Sequence, residues 1–150
     1  MKIIIASDHA GYNLRMKIVQ TLRLSGPGNS IKVIDLGAHS FAPSNYPEYA
    51  DKLCKQIKED STIDFGILIC GSGIGMSMVA NRHEHIRCAL CRSSYDAKLS
   101  REHNNANVLV LGSRLISCEE AIKCLNMFFK SKFEGNRHQA RLDKFNNVKM

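Results

Sequence analysis

The fold of this chain is decided by the stretch Gly66-Ile67-Leu68-Ile69-Cys70-Gly71-Ser72-Gly73-Ile74-Gly75. An apolar, β-branched run ends at a cysteine, and glycines at alternate positions then lead into a segment compatible with a helix. A buried strand that feeds a helix through a glycine turn points backbone N–H groups at one place, which suits an anion or a developing oxyanion. Cys70 lies at the edge of that place, where a positive helix end favours the thiolate. The stretch therefore predicts a reactive thiol beside an anion site.

Length and composition predict one domain over residues 1–150. The chain has 150 residues, of which 44% are hydrophobic, and this is enough for a core that folds unaided. No apolar run approaches the length of a membrane span, and the one at the N-terminus is too short for a signal peptide. We therefore expect a cytoplasmic protein that binds no membrane.

The six cysteines predict reduced thiols rather than disulfides, because the chain is longer than a disulfide-stapled mini-protein and lacks a signal peptide. Cys88 and Cys91 have the CxxC spacing, but on a strand they point to opposite faces and cannot share a metal. Core packing is the predicted role of every cysteine except Cys70. No metal and no cofactor are expected.

The net charge of +7 is compatible with two kinds of partner, nucleic acid or an anionic small substrate. The basic residues are scattered, apart from a cluster near the C-terminus, and no dense basic block is present. This distribution favours the small substrate over nucleic acid.

Strand-like and helix-like segments alternate along the chain. Strands are predicted at 2–7, 31–36, 64–70, 86–91 and 108–111, and helices at 11–24, 47–59, 73–82, 93–103, 117–130 and from about 135 onward. Residues 26–30 are predicted to form a loop. Ser93 or Ser94 is expected to cap one helix and Ser117 another. Such alternation is typical of a parallel sheet covered on both faces, in which ligands bind beyond the carboxyl ends of the strands.

The glycine turn does not match a nucleotide fingerprint. A dinucleotide motif would require Gly or Ala at the position of Met76, and no Gly-Lys-Ser/Thr follows to form a P-loop. A smaller anion is therefore favoured over a nucleotide. The alternative is a tight strand–helix turn that needs glycine only for its backbone angles.

Three further groups have two interpretations each. Asp8 follows the first strand and is either a helix N-cap or part of the site that Cys70 marks. His103 ends a helix and is either a surface residue or an acid–base group. Arg137 and Arg141 share a helix face, which is either solvated or a phosphate clamp.

Taken together, these residues resemble the B-type sugar-phosphate isomerases, the family of ribose-5-phosphate isomerase B and galactose-6-phosphate isomerase. The matching motifs occur in the family's order and span nearly the whole chain. They are Ser7-Asp8-His9-Ala10-Gly11, Asp35-Leu36-Gly37, Tyr46-Pro47, Cys70-Gly71-Ser72-Gly73-Ile74-Gly75, Ala80-Asn81, Arg101-Glu102-His103-Asn104, Asn107-Val108-Leu109, Gly112-Ser113-Arg114 and Arg137-His138.

The resemblance implies a Rossmann-like three-layer α/β/α sandwich with a five-stranded parallel sheet. It implies a homodimer, in some members a tetramer, whose active sites lie at the subunit interface and use both chains. The implied reaction is the metal-free interconversion of D-ribose 5-phosphate and D-ribulose 5-phosphate, a step of the pentose phosphate pathway. Residues 25–30 depart from the family's shorter connection and are interpreted as a surface-loop insertion.

The resemblance also implies residue roles. The family's base is either a cysteine that ends the third strand or a glutamate six residues after a glycine there, and Cys70 with Met76 fits the cysteine type. The implied catalytic residues are Cys70 as base, Ser72 as proton shuttle, His103 for ring opening and Asp8 for orienting hydroxyls. The implied substrate-binding residues are Tyr46 and Asn104 for the sugar, the amides of Gly71, Gly73 and Gly75 for the oxyanion, and His9, Arg114, Arg137, His138 and Arg141 for the phosphate.

Two other functions remain open at this point. One is the isomerisation of a six-carbon sugar phosphate, such as allose or galactose 6-phosphate, which would use the same cysteine chemistry. The other is a non-catalytic phosphosugar-binding or redox-responsive protein. Such a protein would need neither Cys70 nor His103, so the presence of both favours an enzyme.

Overall fold

A computed structural model describes residues 1–24 and 31–145 of the chain. Its five strands are β1 (Lys2–Ser7), β2 (Lys32–Asp35), β3 (Phe65–Cys70), β4 (Cys88–Leu90) and β5 (Val108–Gly112). Its helices are α1 (Tyr12–Leu24), α2 (Tyr46–Glu59), α3 (Ile74–Ala80), α4 (Ser94–Asn104), α5 (Cys118–Lys130) and α6 (Arg137–Leu142). The loop predicted at 26–30 and the insertion predicted at 25–30 lie outside the described residues.

The strands form one parallel sheet in the order β2-β1-β3-β5-β4, with β3 at its centre. Successive side chains of β3 alternate between two hydrophobic clusters, as the period of a strand requires. Ile67 and Ile69 pack with α1, α4 and α5, whereas Leu68 and Cys70 pack with α2 and α3. The predicted three-layer α/β/α sandwich is confirmed. Among residues 1–24 and 31–145, no helix is long and apolar enough to cross a membrane.

The predicted caps of α4 and α5 are present. Ser93 accepts a hydrogen bond from the N–H of Asp96, whose carboxylate accepts in return from the Ser93 N–H. Ser117 accepts from the N–H of Glu120. Each cap satisfies a backbone donor that has no partner within its helix, so the starts of both helices follow from short sequence signals.

Two elements, β4 and α3, are each three residues shorter than predicted. Strand β4 begins at Cys88, because the N–H of the preceding Arg87 donates to the side chain of Asn107 and not to the backbone of β5. Helix α3 begins after Gly73, which has a φ of 77°. That left-handed conformation suits glycine and turns the chain sharply before the helix.

Four of the five cysteines outside β3 have the properties of packed, unreactive thiols. All six cysteines are free. Cys88 and Cys91 pack on opposite sides of the sheet, as the CxxC analysis predicts. Burial raises the pKa of the thiols of Cys54, Cys91 and Cys124 to about 12, and that of Cys88 further. Cys118 is only half-buried, but it also packs against the core.

A buried arginine joins the carboxyl ends of β1 and β2. Arg15, on α1, is 1% exposed and forms an ion pair with Asp35 at the end of β2. Its Nε donates to the hydroxyl of Ser7 at 3.1 Å, and its Nη2 donates to the carbonyl of Ala38 at 2.6 Å. Asp35 also accepts from the N–H of Gly37. This network fixes the segments that follow both strands.

Candidate active site

A pocket of about 720 Å³ opens at the carboxyl edge of the sheet, the edge at which the strands end. Parallel α/β sheets bind ligands at this edge. The pocket is lined by Asp8, His9, Ala10, Tyr46, Cys70, Gly71, Ser72, Ile74, Gly75, Met78, Arg114 and Leu115.

Cys70 ends the central strand and lies at the base of this pocket. It is 4% exposed, and its Sγ accepts a hydrogen bond from the backbone N–H of Gly73 at 3.1 Å. An N–H group directed at sulfur stabilises the charged thiolate. The adjacent hydroxyl of Ser72 accepts from the N–H of Ile74 at 3.3 Å. The glycine turn thus supplies the sulfur with a polar partner and places a hydroxyl beside it.

The turn after β5 brings a cation to Gly71, the residue that follows the cysteine. The N–H of Ser113 donates to the carbonyl of Cys70, and the N–H of Arg114 donates to the carbonyl of Gly71. A Cβ atom at Gly71 would lie 3.3 Å from the Arg114 guanidinium, so the cation packs directly on the glycine turn. A Cβ at Gly112 would lie 2.5 Å from the carbonyl oxygen of Ser72, and glycine is therefore required for this close approach.

Asp8 and His9 enter the pocket from the turn after β1. Asp8 is 6% exposed, and its Oδ1 accepts from the N–H of Gly11 at 3.0 Å. Asp8 therefore serves in the local turn and lines the pocket at the same time. His9 and Ser44 are joined by two hydrogen bonds of 3.1 Å.

Tyr46 closes one side of the pocket as the first residue of α2. A Cβ atom at Gly75 would lie 2.4 Å from Cζ of the Tyr46 ring. The missing side chain at Gly75 therefore lets the phenol, including its hydroxyl, pack closely against the first turn of α3.

Most of the residues assigned to the site from sequence come together in this pocket. Those that line it are Asp8, His9, Tyr46, Cys70, Gly71, Ser72, Gly75 and Arg114. Gly73 contacts the sulfur through its N–H. The remaining predicted residues, His103, Asn104, Arg137, His138 and Arg141, form a second cluster elsewhere in the chain.

The second cluster lies at the amino edge of the sheet, where the strands begin. His103 and Asn104 end α4, and the chain then turns into β5. The His103 ring stacks on that of His138, in the first turn of α6, with 4.3 Å between ring centroids and an angle of 6° between the planes. The N–H of Glu134 donates to the carbonyl of Glu102 and holds the segment before α6 against α4.

The electrostatics of the second cluster favour an anion over a metal ion. Candidate ligand atoms of His103, Glu134 and His138 lie within 4.8 Å of one another. The two imidazole planes are nearly parallel, however, and an ion cannot lie in both planes along the nitrogen lone pairs. Burial lowers the pKa of His138, and the neighbouring His103, Arg137 and Arg141 lower it further. The positive charge of the two arginines therefore makes the cluster a better site for an anion than for a cation.

The rim of the pocket includes apolar residues that sequence reasoning missed. Ile74, Met78 and Leu115 are 41%, 64% and 52% exposed, although all three line the cavity. Ser44, which forms two hydrogen bonds with His9, was also not predicted from the sequence. An exposed Ile, Met or Leu gives no sequence signal of its own, since its exposure depends on which helix face meets the sheet.

Comparison with known proteins gives one consistent result. The sequence profile of the Ribose/Galactose Isomerase family matches residues 3–145. Ribose-5-phosphate isomerase B of Escherichia coli is 39% identical over 142 residues, which cover 95% of this chain and 92% of that protein.

Solved structures agree with the sequence relatives. A ribose 5-phosphate isomerase of Thermotoga maritima superposes with a TM-score of 0.91 at 45% identity, and the match covers 98% of both chains. Ribose-5-phosphate isomerase B of Mycoplasma genitalium with bound ribulose-5-phosphate superposes with a TM-score of 0.89 at 42% identity, covering 97% of this chain and 94% of that one.

Proposed function

The chain belongs to the Ribose/Galactose Isomerase family, and from this membership we propose that it is an aldose–ketose isomerase interconverting D-ribose 5-phosphate and D-ribulose 5-phosphate. The observation that carries the proposal is the Cys70 sulfur, held by the Gly73 N–H in a pocket that it shares with Arg114. The relative with bound ribulose-5-phosphate, at 42% identity, supports this choice of substrate. The six free thiols support a reducing compartment, and we place the enzyme in the cytoplasm.

Cys70 acts as the base of the reaction. The thiolate removes the proton from C2 of the open-chain aldose, the C2–H electron pair becomes the C1–C2 double bond, and the C1=O π pair moves to the C1 oxygen to give an enediolate. The same sulfur then returns its proton to C1, which gives the ketose. The hydroxyl of Ser72 moves the remaining proton from the C2 oxygen to the C1 oxygen.

The glycine turn stabilises the enediolate oxygen. The first N–H groups of a helix have no carbonyl partner within it, and α3 begins directly after Gly73. Removing one such donor from an oxyanion site costs about 3–4 kcal/mol of transition-state stabilisation. Asp8 and Tyr46, which also line the pocket, orient the sugar hydroxyls.

A complete site requires a second copy of the chain. Cys70 lies at the carboxyl edge of the sheet, whereas His103 lies at the amino edge, and β5 between these edges has five residues. A strand of that length spans about 16 Å, which is farther than one pentose phosphate reaches. We infer a homodimer in which the second copy brings His103 for ring opening and Asn104 for the sugar.

The same dimer completes the phosphate site and covers the apolar rim. Arg137, His138 and Arg141 of the second copy join His9 and Arg114 around the phosphate, which binds well to planar guanidinium groups. The exposed side chains of Ile74, Met78 and Leu115 are the apolar surface that association buries. Anchoring the remote phosphate positions the reacting end of the sugar.

The base is tested by Cys70→Ala in a coupled assay for ribulose 5-phosphate. Loss of a general base costs about 10²–10⁴-fold in kcat, whereas binding of inorganic phosphate remains. Cys118→Ala is the matched control, because it removes a half-buried thiol outside the pocket. Turnover of Cys70→Ala close to that of the control removes Cys70 from this role.

The shared site is tested by mixing two inactive variants, Cys70→Ala and His103→Ala. In a mixed dimer, one of the two sites combines an intact Cys70 with an intact His103, so random exchange restores about a quarter of the wild-type activity. No recovery, in a mixture shown to exchange subunits, would overturn the two-chain site. The base assignment would still be judged separately by the alanine variant.

A further inference from the structure

The two hydrogen bonds between His9 and Ser44 fix the segment before α2 and also determine which nitrogen of the His9 ring carries the proton. The N–H of His9 donates to the Ser44 hydroxyl oxygen, and the N–H of Ser44 donates to Nδ1 of the His9 ring, each over 3.1 Å. The residues are 35 positions apart, and both are half-buried. His9 also lines the pocket that contains Cys70.

The second of these bonds selects a tautomer. A backbone N–H is only a donor, so Nδ1 of His9 must offer its lone pair. In a neutral imidazole one nitrogen accepts and the other carries the proton. The proton of the neutral His9 ring is therefore on Nε2, which becomes the donor that this side chain offers to the pocket.

The segment that carries Ser44 is anchored on both sides by contacts that do not involve the substrate. Before it, Ala38 donates to the carbonyl of Ser7 at 2.6 Å and accepts from buried Arg15. After it, Tyr46 opens α2 and lies against Gly75. The N–H of Ser44 is therefore in place before any ligand arrives.

We propose that Ser44 is a positioning residue: its backbone N–H fixes His9 as the Nε2–H tautomer, so that His9 donates a hydrogen bond to the phosphate of the substrate. This inference rests on the proposed function for the identity of the anion. Phosphate oxygens accept hydrogen bonds, whereas the other tautomer would turn a lone pair toward them. The hydrogen bond from Ser44 to His9 sets the affinity of the pocket for phosphate and leaves the proton transfer by Cys70 unchanged.

The tautomer is measured directly by long-range ¹H–¹⁵N correlation of the imidazole nitrogens in the full-length protein at about pH 8, where an ordinary histidine is neutral. The signal of His9 is assigned by its loss in His9→Asn. We expect the proton on Nε2. A ring protonated on Nδ1 overturns the proposal, whatever the isomerase activity, and a correct tautomer in an inactive protein counts against the proposed function instead.

Substitutions at Ser44 separate its N–H from its hydroxyl. Ser44→Ala retains the N–H, and we expect an unchanged tautomer and an unchanged Kd for inorganic phosphate. Ser44→Pro removes the N–H, and loss of a hydrogen bond of this kind weakens phosphate binding about tenfold and raises KM more than it lowers kcat. Ala42→Pro is the matched control, since it removes a nearby N–H that donates to Ser40. Equal phosphate affinity in Ser44→Pro and Ala42→Pro overturns the proposal.

If Ser44→Pro does not fold, two variants of His9 test whether Nε2 donates to the phosphate. His9→Asn keeps an acceptor near the position of Nδ1 but has no donor near Nε2, whereas His9→Gln places an amide N–H₂ near Nε2. We expect His9→Gln to bind inorganic phosphate more tightly than His9→Asn does. The reverse order, or equal affinity, contradicts a donor role for Nε2.

Discussion

Replacing Arg15 by methionine is expected to destabilise the protein strongly, because this arginine is the buried centre of a network. Its side chain is 1% exposed, whereas its partner Asp35 retains 17%. The guanidinium also donates to Ser7 and to the carbonyl of Ala38. Methionine has a similar reach but no donor and no charge, so Arg15→Met leaves a largely buried carboxylate and two acceptors without their partner.

The expected loss follows from this burial. Removing one partner of a buried ion pair costs about 3–5 kcal/mol, since the remaining charge is uncompensated. Each kcal/mol lowers Tm by about 2–4 °C in a domain of this size, so the midpoint falls by roughly 6–20 °C. The perturbed segments lead directly to Asp8 and to Ser44, and KM for the sugar phosphate is expected to rise as well.

Thermal and urea denaturation measure the loss, and two further variants test its cause. In Arg15→Met/Asp35→Asn both charges are absent, while the side-chain amide oxygen introduced at position 35 still accepts from Gly37, so most of the lost stability returns. Lys55→Met breaks the exposed pair with Asp51 and leaves Tm unchanged. A loss below about 1 kcal/mol in Arg15→Met, or no recovery in the double variant, would refute an uncompensated charge as the cause.

Three more outcomes follow from the described contacts. Gly75→Ala places a Cβ 2.4 Å from the Tyr46 ring, so kcat/KM should fall about tenfold with little change in Tm; an unchanged kcat/KM contradicts the role of this contact. The pKa of His138 is lowered from 6.5 by burial, so the unfolded chain binds the proton first as the pH falls. The free energy of unfolding should therefore decrease below about pH 6.5, and the decrease should be smaller in His138→Gln than in the wild type. An equal decrease in the two proteins argues against burial of His138 as its cause. Iodoacetamide should alkylate Cys70 before Cys54, because the pKa of the Cys54 thiol is raised to about 12. Peptide mapping by mass spectrometry measures the order of alkylation, and the opposite order contradicts the assignment of Cys70 as the reactive thiol.

The order of the strands and helices was predictable because each element carries a local signal. Apolar runs mark the strands, and Ser93 and Ser117 mark helix starts through caps formed within the next three residues. The start of β4 was not predictable, because the Asn107 side chain that accepts from the N–H of Arg87 comes from outside the strand.

The candidate site was predictable where its residues follow strands, and unpredictable where distant segments meet. Asp8, Cys70 and Arg114 lie at or just beyond the ends of strands, so topology alone brings them to one edge. The contact between His9 and Ser44 joins residues 35 positions apart, and no local sequence pattern predicts it. Arg15 did leave a sequence signal, since it shares a helix stripe with Ile18, Val19 and Leu22.

The central position of β3 has a consequence for how this enzyme can change over evolution. Hydrogen-bonded neighbours flank β3 on both sides, so local opening of the outer strands leaves it intact. Most residues that line the pocket lie on turns and helix starts, which accept substitution more readily than a central strand. Substrate preference can therefore drift while the Cys70 sulfur remains in register, and related enzymes can share one chemistry across sugars of different length.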